Sequence, residues 1–185
     1  MNPITGTIWD EELAALERQG LKRRLRDVTG AQGRKIILDG KEVLNFCSNN
    51  YLGLADDPRM REAAVECIQK EGVGSGASRL ICGNMAAHRE LEATIARFKG
   101  AESCLVFSTG YMANVGIISS VFDRDDMIFC DRLNHASIIE GIILSQAKFK
   151  RYPHSDMEAL EEMLRTTTGF RRRGIITDSV FSMDG

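Results

Sequence analysis

Apolar positions along this chain alternate between a spacing near 3.6 and short continuous runs, and the switches mark the elements. Over residues 58–71, Met60, Ala63, Ala64, Cys67 and Ile68 share one side of a predicted helix. Residues 10–27 read as a polar helix with Leu13, Leu16, Gly20, Leu21 and Leu25 along one side. Its high charge points to an arm packed on another surface, such as a second subunit. Residues 84–99 predict an amphipathic helix with Asn84 as its cap and Gly100 just past its end. Two apolar runs, 35–38 and 42–46, flank Asp39-Gly40, the signal of a tight hairpin. Residues 47–58 and the glycine-rich 72–83 read as loops.

From residue 103 the pattern alternates. Runs at 103–107, 127–130, 148–152 and 174–180 predict strands. Between them, 111–121, 135–146 and 156–166 predict helices, the last capped by Ser155. This alternation predicts an α/β fold, a largely parallel sheet with helices on both faces, preceded by an N-terminal helix and a β-hairpin. The expected division is an arm and hairpin over 1–57 and an incomplete large domain over 58–185. A sheet whose sequence stops at Gly185, just after a strand, leads us to expect the first part of a larger fold.

Composition narrows the function. Apolar residues make up 43% of the chain and charged residues 27%, and the net charge is −2. That balance gives no general attraction for nucleic acid or an anionic membrane. No window is long enough to span a bilayer, and the N-terminus lacks the apolar core of a signal peptide. The five cysteines form no C-x-x-C pair, so no metal site is expected, and buried reduced thiols in a cytoplasmic protein are.

Three turns could carry chemistry. Ser108-Thr109-Gly110-Tyr111 follows a strand and opens a helix, where backbone N–H groups make a seat for phosphate, or an ordinary capped helix start. His135, one of only three histidines, sits at the next strand-to-helix turn, the place where open α/β sheets hold ligands. It can flank a flat ligand ring together with Tyr111, or simply cap its helix. His88 and His154 read as structural or solvent-facing. Residues 72–78 invite a dinucleotide reading, but a helix precedes them and Arg79 stands where the third glycine belongs. The cluster Lys22-Arg23-Arg24-Leu25-Arg26 is a solvated helix face or a seat for a carboxylate or phosphate.

Five segments together resemble the α-oxoamine synthases, a pyridoxal-phosphate family of the fold-type I aminotransferase class. They are residues 45–54 (NFCSNNYLGL), 74–79 (GSGASR), 108–111 (STGY), 134–137 (NHAS) and 180–185 (VFSMDG), in family order and spacing. The resemblance runs from about Leu21 to the end. It implies an acyltransferase with pyridoxal 5′-phosphate as cofactor, acting as a homodimer. Gly110, Tyr111, His135 and Ser182 would contact the cofactor, and His135 would be the catalytic residue stacked on its ring. Arg23, Asn49 and His135 would bind substrate. Arg23 favours the branch of biotin biosynthesis that joins L-alanine to a pimeloyl thioester, either pimeloyl-CoA or a pimeloyl-carrier protein, because a distal carboxylate needs a partner. The alternatives are a glycine acetyltransferase or a non-catalytic dimerisation partner. The family's Schiff-base lysine and its pyridinium-pairing aspartate lie downstream of 180–185, so the resemblance implies no catalysis by this polypeptide alone.

Overall fold

The structure is a computed structural model that describes residues 7–181. Met1–Gly74 and Ser75–Gly185 form separate compact units.

In the first unit, helix α1 (Thr7–Arg18) is shorter than the periodicity predicts. Gly20 adopts φ +68° and ends it, with Gly20 N–H bonded to the Glu17 carbonyl and Leu21 N–H to that of Leu16. This crossed pair is the Schellman stop, which outweighs the apolar spacing that continues to Leu25. Lys22 and Arg24 therefore leave the helix, and both turn back onto Glu17 at 3.0 Å. The hairpin forms as expected from β2 (Lys35–Leu38) and β3 (Lys41–Leu44), with Asp39 and Gly40 both at positive φ as a type I′ turn demands. A short strand, β1 (Val28–Thr29), adds antiparallel to β2, which the sequence did not announce. The Asn-rich loop after β3 is held by its own side chains, with Asn45 Oδ1 accepting from Cys47 N–H and Asn50 Oδ1 from Ala55 N–H. Helix α2 (Pro58–Glu71) has the predicted bounds, with Asp57 as cap and Pro58 at its first position.

In the second unit, Arg79–Gly83 forms a π-type turn ahead of α3 (Ala86–Lys99). Asn84 does not cap α3 as expected; Met85 stands at the cap position. Arg79 takes the Asn84 side-chain oxygen with Nε and Nη2, and His88 Nδ1 accepts the Met85 N–H instead. The strand predicted over 103–107 does not form. No strand pairs with it among the described residues, and side chains serve its backbone: Val106 N–H donates to Glu92, and Arg79 donates to the Val106 carbonyl. Arg79 in turn grips Glu92 with two N–H groups.

The rest of the predicted alternation then appears: α4 (Gly110–Val121), β4 (Met127–Asp131), α5 (Ala136–Ser145), β5 (Lys148–Tyr152), α6 (Met157–Thr166) and β6 (Arg173–Ile176), the last shorter than the run to 180 predicts. The strands make a parallel sheet in the order β5-β4-β6, so β4 is central. All five of its residues are buried. Ile128 and Cys130 pack with Ile118, Ile138 and Ile142 of α4 and α5, while Met127 and Phe129 meet Tyr152 and Leu160 on the α6 side. Alternate side chains thus feed two cores, the signature of a sheet covered on both faces. At its entry, buried Asp126 is held by Arg171 at 2.8 Å. Gly141 lets α5 approach α4, since a Cβ there would lie 3.1 Å from the Asn114 carbonyl oxygen. Asp156 caps α6 by accepting from Ala159 N–H; Ser155, the expected cap, has φ +55° and cannot take the extended cap conformation. Of the cysteines expected to be buried, only Cys130 is; Cys47, Cys67 and Cys82 are exposed and Cys104 is half-buried. No helix among the described residues is long and apolar enough to cross a membrane.

Candidate active site

Two of the predicted turns meet at one pocket of about 310 Å³. The first opens α4. Thr109 caps it by accepting from Met112 N–H at 3.1 Å, which leaves the Gly110 and Tyr111 amides in the first turn, where no preceding carbonyl can serve them. A Cβ at Gly110 would meet nothing within 4 Å, so the helix start faces open space. Such an end carries partial positive charge and suits an anion. The Tyr111 hydroxyl donates to Glu140 on α5, and that carboxylate pushes the phenol above its ordinary pKa.

The second turn follows β4. The Asp131 carboxylate accepts from Leu133 N–H at 2.8 Å and from Ser155 N–H at 3.0 Å. Burial pushes the Asp131 carboxyl up, but these two amides and His154 outweigh it and hold the group below its usual range. His135 then caps α5. Its Nδ1 accepts from Ser137 N–H at 3.2 Å and lies 2.7 Å from the Ser137 hydroxyl, which in turn accepts from Asn114 Nδ2 at 2.9 Å. An accepting Nδ1 assigns the neutral ring's proton to Nε2. The His135 backbone N–H donates to Asp178 at 2.8 Å. Asn114, Ser137, Asp178 and Val180 complete the pocket wall with Gly110, Tyr111 and His135.

The predicted residues separate into three groups. Gly110, Tyr111 and His135 come together. Arg23 and Asn49 belong to the first unit and are exposed. Ser182 lies outside the described residues. Ser108 faces elsewhere, into a cleft of about 530 Å³ shared with Arg79, Phe107 and Met112. No lysine lines the pocket among the described residues. Lys150 donates to Thr167 at 2.8 Å, and Lys148 stands 5.5 Å from the centre of the Phe170 ring. His88 caps α3, while His154 pairs with Asp131 and meets Phe181 edge-on at 4.5 Å. Sequence reasoning missed Asn114, Ser137 and Asp178 as members of the wall. The signal for Ser137 was present in the 134–137 segment, two residues past His135.

Residues 41–185 match the family model for class I and II aminotransferases. The 8-amino-7-oxononanoate synthase of Geobacter sulfurreducens is 56% identical over 174 residues, covering 94% of this chain and 44% of the relative. A serine palmitoyltransferase from S. paucimobilis, solved with bound PLP, superposes with a TM-score of 0.86 at 29% identity, over 95% of this chain and 44% of that one. The 8-amino-7-oxononanoate synthase of Francisella tularensis superposes with a TM-score of 0.63 at 34% identity, over 75% of this chain and 37% of that one. The chain thus spans less than half the length of these relatives. It belongs to the class I and II aminotransferase family.

Proposed function

We propose that this chain contributes the pocket wall of a cytoplasmic, homodimeric synthase that condenses L-alanine with a pimeloyl thioester, with loss of CO2. The observation that carries the reading is the convergence of the open α4 start and His135 on one pocket. Pyridoxal phosphate, when bound, supplies an electron-withdrawing ring that eases removal of the amino acid's Cα proton. The Gly110 and Tyr111 amides would hold its phosphate, as a helix start favours a dianion. His135 would pack on the ring and keep its Nε2–H for the substrate. Ser182 would serve the ring's oxygen. Asn49 would contact the acyl chain and Arg23 would pair with its far carboxylate. The lysine needed for turnover would come from sequence outside these 185 residues.

The test is a pyridoxal-phosphate titration of the purified chain followed by equilibrium dialysis. We expect saturable binding, weakened about tenfold in His135→Ala by loss of a well-packed ring contact and unchanged in His88→Ala. Absence of saturable binding, or equal binding by His135→Ala, overturns the reading. In a complete enzyme, faster CoA release from pimeloyl-CoA with alanine than from acetyl-CoA with glycine would fix the substrate; the reverse preference would assign the chain to a glycine acetyltransferase.

A further inference from the structure

Past the last residues of the β4–β6 ladder, Cys130 and Ile176, one side chain continues the pairing. Asn134 Nδ2 donates to the Ile176 carbonyl at 2.8 Å, and Asn134 Oδ1 accepts from Asp178 N–H at 3.1 Å. The amide thus offers β6 the donor and acceptor that a neighbouring strand would offer. Asn134 is 8% exposed, so breaking either bond would leave a buried polar group unserved. The chain leaving β6 is thereby held against the turn leaving β4.

This docking sets the Asp178 carboxylate on the His135 backbone. Oδ2 accepts the His135 N–H, and His135 is the cap of α5, so a negative charge also sits at the start of a helix. The ring is fixed separately, through Nδ1, by Ser137 and behind it Asn114. Backbone and ring are pinned from two sides, and the Nε2 edge is the one these bonds leave unused. A residue that packs on a flat ring gains from having its own position fixed before the ligand arrives.

We propose that Asp178 and Asn134 are positioning residues that fix His135 at the pocket. The role rests on the reading of His135 as the cofactor-facing residue. Two readouts on the purified chain test it: backbone amide exchange by NMR, and pyridoxal-phosphate affinity by dialysis. A bond to a carboxylate protects an amide by a factor of ten or more, so Asp178→Ala should speed exchange of the His135 amide about tenfold. Exchange at Phe129 and Ile142 should stay unchanged, and cofactor affinity should fall about fivefold, in keeping with a lost preorganising contact. Asp178→Asn, which keeps an acceptor, should recover part of both effects. Unchanged exchange at His135 overturns the proposal. So does an equal loss of protection at Phe129, which would mark a merely structural bond, and so does unchanged affinity in a variant whose His135 amide has been freed. A wild-type chain that fails to bind pyridoxal phosphate would instead overturn the cofactor reading itself, and with it the purpose of the docking. A wild-type chain that binds no better than Asp178→Ala overturns the docking alone.

Discussion

Helices α2 and α5 each carry apolar residues, yet their surroundings are opposite. Ile142 of α5 is fully buried, whereas Ile68 of α2 is 50% exposed. The partners of α5 are close in sequence: Ile118, Ile128 and Cys130 belong to the elements just before it. The apolar side of α2 finds no such neighbour, and no residue described between 8 and 74 is buried. Helical spacing records that a face is suited to burial. It says nothing about what covers that face. Helix α5 finds its cover in neighbouring elements of the Ser75–Gly185 unit, whereas α2 finds none among the described residues of its own.

The sharpest way to break this contrast is to remove a ring from the centre of the second unit. Phe129 is fully buried on β4 against Tyr152 and Leu160. Phe129→Ala should cost about 3–5 kcal/mol by deleting buried surface and leaving a cavity. Urea unfolding followed by circular dichroism would measure it. A cost below about 1 kcal/mol would mean that the core collapses around the gap and that β4 is not the organising strand.

How much of this could be read in advance depended on the reach of each interaction. The bounds of α2 and β5 followed from local spacing, and the hairpin from two residues, Asp39 and Gly40. The errors arose where one residue or a distant partner decided the outcome. Gly20 stopped α1 inside an unbroken apolar stripe. Asn84 lost its capping role to Arg79, and 103–107 lacked a strand to pair with. β6 ends at Ile176 rather than 180 because its next partner is a side chain, Asn134. The site divides the same way. Gly110, Tyr111 and His135 stand in short motifs at strand-to-helix turns. Asn114 and Asp178 act across 23 and 43 residues of sequence, a distance at which no local pattern announces contact.

A second, smaller effect concerns acid. Glu92 is held at a pKa of about 2, first by the Arg79 guanidinium and then by the Val106 N–H, against an ordinary value of 4.5. A carboxyl whose pKa is lower when folded stabilises the fold above its ordinary pKa. That stabilisation is present above pH 4.5 and is lost as pH falls toward 2. The affected part is the segment leading to Ser108 and the α4 start. In Glu92→Gln the fall in unfolding midpoint over this window should be shallower than in the wild type. An identical slope would show that Arg79 and Glu92 do not hold the segment in solution.

The smallest expected effect is the most direct probe of the first unit. Met60 lies in the first turn of α2 and is 56% exposed. Truncating a half-exposed side chain removes little surface from solvent contact, and alanine is the better helix former. Met60→Ala should therefore change stability by no more than about 0.5 kcal/mol, as surface substitutions do. The measurement is the same urea titration, repeated at two protein concentrations a hundredfold apart. A cost above about 2 kcal/mol would place Met60 in a packed setting of the kind Ile142 occupies, and the contrast between the two helices would fail. If that cost appeared only at the higher concentration, a second copy of the chain would be what covers α2, since only association makes stability depend on concentration.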